Sequence, residues 1–201
     1  MTQTDIKIRA EPSRDLERCT FTVDREVYEG AGYYFGNPAA AKRSELAERI
    51  LAIAGVSGVL IANDTVTVSA RGIADWRPVG REVGQIIREV IGSGRPAVDP
   101  TLKASLPTAA VLRERVQTVI DREVNPAVAS HGGFIDLLDV RGNSVFIRMG
   151  GGCQGCGAAN VTLKQGVEQI VRQHVPEVGE IFDTTDHAAG RNPYYAPRHD
   201  H

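Results

Sequence analysis

The feature that most constrains this chain is a short loop of glycines and cysteines, Gly150-Gly151-Gly152-Cys153-Gln154-Gly155-Cys156-Gly157. The loop contains two of the chain's three cysteines and five of its glycines. An alternating apolar run of the strand type leads into it, and apolar residues at helical spacing follow it. Whatever fold the chain adopts must therefore deliver a strand to this loop, take a helix out of it, and hold two thiols between them.

Length and composition indicate an ordinary globular protein. The 201 residues are 42% hydrophobic and 24% charged, which suits one large domain or two small ones. A net charge of −2 gives no electrostatic footprint for nucleic acid or for an anionic membrane surface. No apolar run approaches the roughly 20 residues that span a bilayer, and residues 1–11 are polar. We therefore expect a cytoplasmic protein with reduced thiols and no disulfide framework.

The first half, residues 1–97, predicts a small α+β domain. Two weakly alternating strands come first, a helix follows, and a hairpin across Asn63-Asp64 precedes a second helix. The aromatic, glycine-rich segment 28–35 gives no clear pattern. The predicted strands and helices are residues 5–11, 18–23, 59–61 and 66–68, a helix from the Asn37 cap to Gly55, and a helix from the Asp75 cap to Gly92.

No catalytic chemistry is visible in the first half, so we predict that it docks partners. Cys19 lies on the apolar phase of its strand and is expected to be a small buried residue rather than a ligand. Lys42, Arg43 and Arg49 could dock an acidic partner, but the simpler interpretation is a solvated helix face.

The second half predicts a linker at 98–107, a second α+β domain at 108–187 and a flexible tail at 188–201. The linker is rich in proline, and the tail is polar. Each domain is expected to be an antiparallel sheet with helices packed on one face. The predicted elements are a helix capped by Thr108 that ends before Pro126, a hairpin that pairs 134–140 with 144–149, a further helix, and a strand at 178–182. In the further helix, Leu163, Val167, Ile170 and Val171 are expected to face inward, and Glu168 and Arg172 are expected to form an exposed pair.

The Cys-x-x-Cys spacing brings two sulfur atoms close enough to bind one metal or to form a disulfide with each other. Cys156 directly precedes the predicted helix, whose N-terminal dipole favours thiolate over thiol. Thiolate is the form that ligates metals and attacks disulfides. The surrounding glycines allow backbone amides to approach sulfur closely. The loop is therefore suited to either chemistry.

Two of the possible interpretations are a structural zinc site and a dithiol oxidoreductase. Zinc needs four ligands, and the chain has no second Cys-x-x-Cys; His131 and His174 do not have finger-type spacing. An oxidoreductase motif also opens a helix, but it follows the first strand of a βαβ unit rather than coming late in the domain. The tryptophan and proline usual beside such a pair are absent from the loop.

The third interpretation is an iron–sulfur cluster shared between two chains. A cluster takes four cysteinyl ligands, and each chain supplies two at this loop. A two-fold axis, the commonest symmetry of oligomers, would supply the other two. A cluster held on exposed loops at such an interface suits a carrier better than an electron-transfer centre.

Several of these segments resemble Nfu-type, NifU-like proteins. The resemblance to the C-terminal domain of the family rests on Gly151–Cys156, on Val161–Glu168, on His131-Gly132-Gly133 and on Pro176-Glu177-Val178. The segment from Asn37-Pro38-Ala39-Ala40-Ala41 to Gly58-Val59 is similar to the N-terminal domain of the same family. Together these segments extend over roughly residues 5–187.

The sequence shows no nucleophile–base pair, phosphate loop or cofactor fingerprint, so we expect a protein that is not an enzyme. The resemblance implies an iron–sulfur scaffold or carrier. It implies a homodimer that holds a [4Fe-4S] cluster through Cys153 and Cys156 of each subunit. The cluster would come from an upstream assembly scaffold and pass to apo iron–sulfur proteins. Where the family commonly has Pro-Ser-Ser after the second cysteine, this chain has Gly157-Ala158-Ala159; we expect the change to alter cluster lability without removing a ligand.

Overall fold

The computed structural model describes residues 6–14, 16–130, 132–151 and 157–184. The chain divides into two compact units, residues 1–106 and 107–201. Each unit has its own hydrophobic core. Each is an α+β arrangement built on one sheet, as the sequence predicted.

The first unit is built on a five-stranded antiparallel sheet in the order β1-β2-β5-β4-β3. Alternating apolar side chains on its central strands face the helices and are buried, Phe21, Val66 and Val68 among them. The segment without a clear sequence pattern is an edge strand. The strands are β1 (Ile8–Pro12), β2 (Arg18–Val23), β3 (Tyr28–Phe35), β4 (Val56–Asn63) and β5 (Thr65–Ala70).

The β4–β5 hairpin turns where the sequence predicted. Asn63 adopts a positive φ of 49°, a conformation that asparagine tolerates better than most residues. The Thr65 hydroxyl donates a hydrogen bond of 2.8 Å to the Ala62 carbonyl and closes the turn. The register of the two strands then pairs Val59 with Val68 and sets both on the buried face.

The helix predicted from Asn37 to Gly55 is in fact two helices, α1 (Pro38–Ala41) and α2 (Glu45–Leu51). The reason is Ser44, whose extended backbone breaks the helix and whose hydroxyl accepts a hydrogen bond from the Ala47 amide. The same hydroxyl donates to the Ala97 carbonyl. The later helix, α3 (Trp76–Gly92), begins after the predicted Asp75 cap.

The segment predicted to be the linker, 98–107, largely belongs to the first unit. Val98 and Leu102 are buried in its core, and Thr101–Ser105 forms a short helix, α4. Asp99 pairs with Arg43 at 3.1 Å. The prolines indicated an extended spacer, but the apolar side chains between them find a hydrophobic surface to cover.

In the second unit, the first helix passes through Pro126 instead of ending before it. Helix α5 (Ala109–Val119) continues as a π-helical segment, Ile120–Val124, and then as α6 (Asn125–Ala129). Pro126 lies in the first turn of α6, where the backbone amides have no hydrogen-bond partner within that helix. The N–H that proline lacks is therefore not missed there. The Asn125 side chain both donates to and accepts from the backbone of Ile135, which joins this helix to the sheet.

The second sheet has three strands in the order β6-β7-β8. The predicted hairpin is present, with Gly142 at a positive φ of 58° in its turn. The final strand is shorter and later than predicted, and it pairs with β7 in parallel, because α7 carries the chain back across the sheet before it. The elements are β6 (Gly133–Arg141), β7 (Ser144–Gly151), α7 (Gly157–His174) and β8 (Ile181–Asp183).

The two faces of β7 differ as the alternation predicted. Val145, Ile147 and Met149 are fully buried, whereas Arg148 is exposed on the opposite face. Among the residues that the structure describes, no helix is long and apolar enough to cross a membrane.

We predict that Ser44→Ala lowers the free energy of unfolding of the first unit by about 1–2 kcal/mol, because a buried cap and the bond to the Ala97 carbonyl are lost together. Asn37→Ala is the matched control, since Asn37 also caps a helix, through the Ala40 amide, but is exposed. Its expected cost is about 0.5–1 kcal/mol. Urea denaturation measures both, and equal costs would contradict the role given to the Ala97 contact.

Candidate metal centre

The glycine–cysteine loop joins the end of β7 at Gly151 to the start of α7 at Gly157. Cys153 and Cys156, the predicted ligands, lie outside the described residues. The structure does describe the strand and the helix on either side of them. These two elements fix the points at which the chain enters and leaves the segment with both thiols.

Gly151 ends β7 in a position that only glycine fits. Its φ is +63°, and it pairs with Gly133 of β6. A Cβ atom at Gly151 would lie 2.3 Å from the Gly132 carbonyl oxygen, far inside van der Waals contact. Because the obstructing atom belongs to the backbone, it cannot rotate away. The close approach of β6 and β7 therefore anchors the strand immediately before the thiols.

Gly150 is covered by the ring of Phe134, which lies opposite it on β6. A Cβ atom at Gly150 would lie 2.1 Å from that ring. Phe134 is 45% exposed, which makes it one of the few large exposed apolar side chains in the described part of the chain. Sequence patterning gave no sign of this contact, because it depends on the register of the hairpin.

Helix α7 is held on the sheet by apolar residues and by an ion pair. Val167 and Val171 are buried, as predicted. The Glu168–Arg172 pair was predicted to be exposed, and this was wrong: the two side chains are 5% and 11% exposed and pair at 3.0 Å. Arg172 also donates to the Gly179 carbonyl at 2.6 Å. The pair is buried because it connects the helix to the segment before β8.

The other candidate metal ligands do not form a site of their own. Among the described residues, no group of three or more His, Cys, Asp or Glu side chains lies close enough to hold a metal ion. His174 is exposed, and its Nδ1 atom lies 3.0 Å from the Ile170 carbonyl oxygen of the same helix. His131, the other histidine considered for zinc, lies outside the described residues.

Cys19 is buried in the core of the first unit, as its strand phase predicted, with 1% of its surface exposed. The pKa of its thiol is raised to about 11, mainly by burial and also by the nearby Glu11 carboxylate, against a backbone hydrogen bond at Glu11 that lowers it. A buried, protonated thiol is a poor metal ligand. Cys153 and Cys156 therefore remain the chain's candidate cysteine ligands.

Comparison with known proteins places both units in one family. Residues 8–94 match the family described as scaffold protein Nfu/NifU N terminal, and residues 116–182 match the NifU-like domain. A protein of Stenotrophomonas maltophilia named Fe/S biogenesis protein NfuA is 38% identical over 86% of this chain and 89% of its own length. A protein of the same name from Xanthomonas euvesicatoria is 37% identical over the same shares.

A solution structure of a NifU-like protein from Saccharomyces cerevisiae is also similar, with 16% identity and a TM-score of 0.45 over 50% of this chain and 90% of that one. The sequence matches extend across both units. This chain belongs to the family of Nfu-type, NifU-like proteins.

We predict that Gly151→Ala lowers the free energy of unfolding of the second unit by about 2–4 kcal/mol, because the left-handed φ and the contact with a carbonyl oxygen are both unfavourable for alanine. Gly150→Ala is the matched control. Its obstruction is an exposed side chain that can rotate away, so the expected change is within about 1 kcal/mol. Denaturation of the two variants without metal measures this, and a harmless Gly151→Ala would contradict the backbone constraint.

Proposed function

We propose that this protein carries an iron–sulfur cluster held between two copies of the chain. Cys153 and Cys156 of each copy would ligate a [4Fe-4S] cluster, which passes to apo iron–sulfur proteins. The observation that carries the proposal is the burial of Cys19 with its raised pKa. It leaves one pair of usable thiols in each chain.

The number of ligands leads to the dimer. A [4Fe-4S] cluster takes four thiolates, and one chain supplies two of them. Two identical loops related by a two-fold axis complete the set without any other donor. Within the described residues no cluster of histidines or carboxylates could fill the remaining positions. The relatives named Fe/S biogenesis proteins support the same cargo.

The position of the thiols suits reversible binding. Helix α7 begins at the residue after Cys156, and the positive end of a helix dipole stabilises a nearby thiolate. The anchored end of β7 at Gly151 fixes one side of the loop, and the buried stripe of α7 fixes the other. Delivery would then be ligand exchange, in which thiolates of the recipient replace those of the carrier and no electron is transferred.

The two units would have different functions. The first unit, with the described core of residues 6–105, would dock partners, and the second would hold the cluster. An assembly scaffold would supply the cluster, apo-proteins would receive it, and the cytoplasm would be the compartment. No catalytic turnover is part of this function. Gly157-Ala158-Ala159 would set how readily the cluster leaves.

We predict that anaerobic reconstitution with iron and sulfide gives about four irons per two chains, and that Cys153→Ser or Cys156→Ser removes most of the cluster because each change takes away two of four thiolates in the dimer. Mössbauer spectroscopy and iron analysis measure the result. Cys19→Ala is the matched control and should keep the full cluster, since Cys19 is buried.

Three outcomes would contradict the proposal. The first is a Cys153→Ser variant that retains the full cluster, and the second is a monomer that binds only zinc. The third is a chain without a cluster that reduces insulin disulfides and needs both cysteines, which would identify a thiol–disulfide oxidoreductase instead.

A further inference from the structure

An open groove of about 530 Å³ lies on the first unit, between strand β1 and helix α3. Strand β1 is at the edge of the sheet, with β2 on one side only. Helix α2 packs on β4 and on α3, and α3 in turn packs on β1 and β2. Beside α3, above β1, the described chain supplies no further helix. The groove occupies the place where one more helix would complete the layer.

The floor of the groove is apolar. Alternate residues of β1, namely Ile8, Ala10 and Pro12, line it, and the last two are exposed. On the helix, Gly80 and Gly84 are one turn apart and also line it. A Cβ atom at Gly80 would reach no closer than 3.8 Å to the Phe21 ring, so a side chain would fit there. The two glycines therefore widen the groove.

The rim of the groove holds an exposed leucine in an unusual conformation. Leu16 has a positive φ of 59°, which is uncommon for a residue other than glycine, and it is 40% exposed. The Trp76 indole N–H donates a hydrogen bond of 2.7 Å to the Leu16 carbonyl and fixes this position. An exposed apolar side chain held beside an apolar groove favours contact with a partner.

The wall formed by α3 is positively charged. Arg77, Arg81 and Arg88 line the groove, and the lining includes one acidic residue, Asp75, which pairs with Arg77 at 3.1 Å. Arg88 donates to the Ile6 carbonyl at 3.2 Å. Within the described residues neither Arg81 nor Arg88 forms an ion pair.

The basic cluster noted in the sequence is different, because Arg43 pairs with Asp99 and Arg49 pairs with Glu89 and Glu45. Those arginines are already neutralised within the unit. Arg81 and Arg88 at the groove differ from Arg43 and Arg49 in forming no ion pair within the described residues.

We propose that this groove binds an amphipathic helix of a partner protein whose polar face is acidic. Five strand residues extend about 16 Å at roughly 3.3 Å each, which equals about three turns of helix. The apolar face of the helix would cover Ile8, Ala10 and Leu16, and its carboxylates would meet Arg81 and Arg88. A binding site of this form matches helix-in-groove recognition.

Identifying the partner as a recipient of the cluster rests on the proposed function. The binding of a helix by the groove does not depend on that function. The test uses the full chain without a cluster, so its failure would leave the cluster proposal intact. Trp76 is the chain's one tryptophan and lines the groove, so its fluorescence reports binding directly. The probe is a synthetic 14-residue helical peptide of leucine and glutamate, with a lysine-for-glutamate peptide beside it.

We predict a saturable change in Trp76 fluorescence with the glutamate peptide and none with the lysine peptide. Arg81→Glu combined with Arg88→Glu should weaken binding at least about tenfold, since attraction becomes repulsion. Gly80→Leu should weaken it similarly by filling the groove. Arg9→Glu is the matched control, because Arg9 lies on β1 but is not among the residues that line the groove, and binding should stay within about twofold of the unaltered chain.

Several results would overturn the proposal. They are no saturable change up to about 1 mM peptide, equal binding of the lysine peptide, or an Arg9→Glu effect as large as that of the groove variants. Binding of the chain to anionic phospholipid vesicles in preference to the peptide would identify a membrane surface as the occupant instead. Circular dichroism of each variant confirms that a loss of binding does not reflect unfolding.

Discussion

The close approach of Gly151 to the Gly132 carbonyl oxygen is the contact on which the second unit depends. It brings β6 and β7 together at the open end of their hairpin, where a side chain at Gly151 would separate them. The strand then stops at a defined point, and helix α7 starts six residues later with its apolar face buried on the same sheet. The five residues between these elements carry both loop cysteines. A rigid hairpin and a packed helix thus bound a very short stretch of chain.

The number of cysteine ligands that each chain can supply bears on the oligomeric state of the protein. Cys19 is a poor candidate ligand because it is buried in the core of the first unit, and burial also raises the pKa of its thiol. One chain then has two remaining cysteines, whereas the cargo proposed for it takes four thiolates. The first unit differs from the second in the kind of site that it offers. That unit has no metal site among its described residues, but it has a groove with an apolar floor and two arginines that form no ion pair there.

Much of this arrangement could be predicted from the sequence, where local chemistry decides the structure. The caps at Asn37 and Asp75, the hairpin turn at Asn63 and the buried phase of Cys19 each depend on neighbours in the chain. What could not be predicted depends on distant residues. Ser44 breaks a helix partly through Ala97, and the Glu168–Arg172 pair is buried because Gly179 accepts from Arg172. The groove beside α3 is likewise a gap in a layer, and helical or strand periodicity contains no sign of it.

The central claim is that one loop supplies half of a cluster site, so the functional unit is a pair of chains. Native mass spectrometry of the anaerobically reconstituted protein tests this most directly, because it weighs the intact assembly together with its cargo. We predict that the spectrum shows two chains bound to one [4Fe-4S] cluster. A single chain that carries a complete cluster, or a dimer with one cluster in each chain, would contradict it.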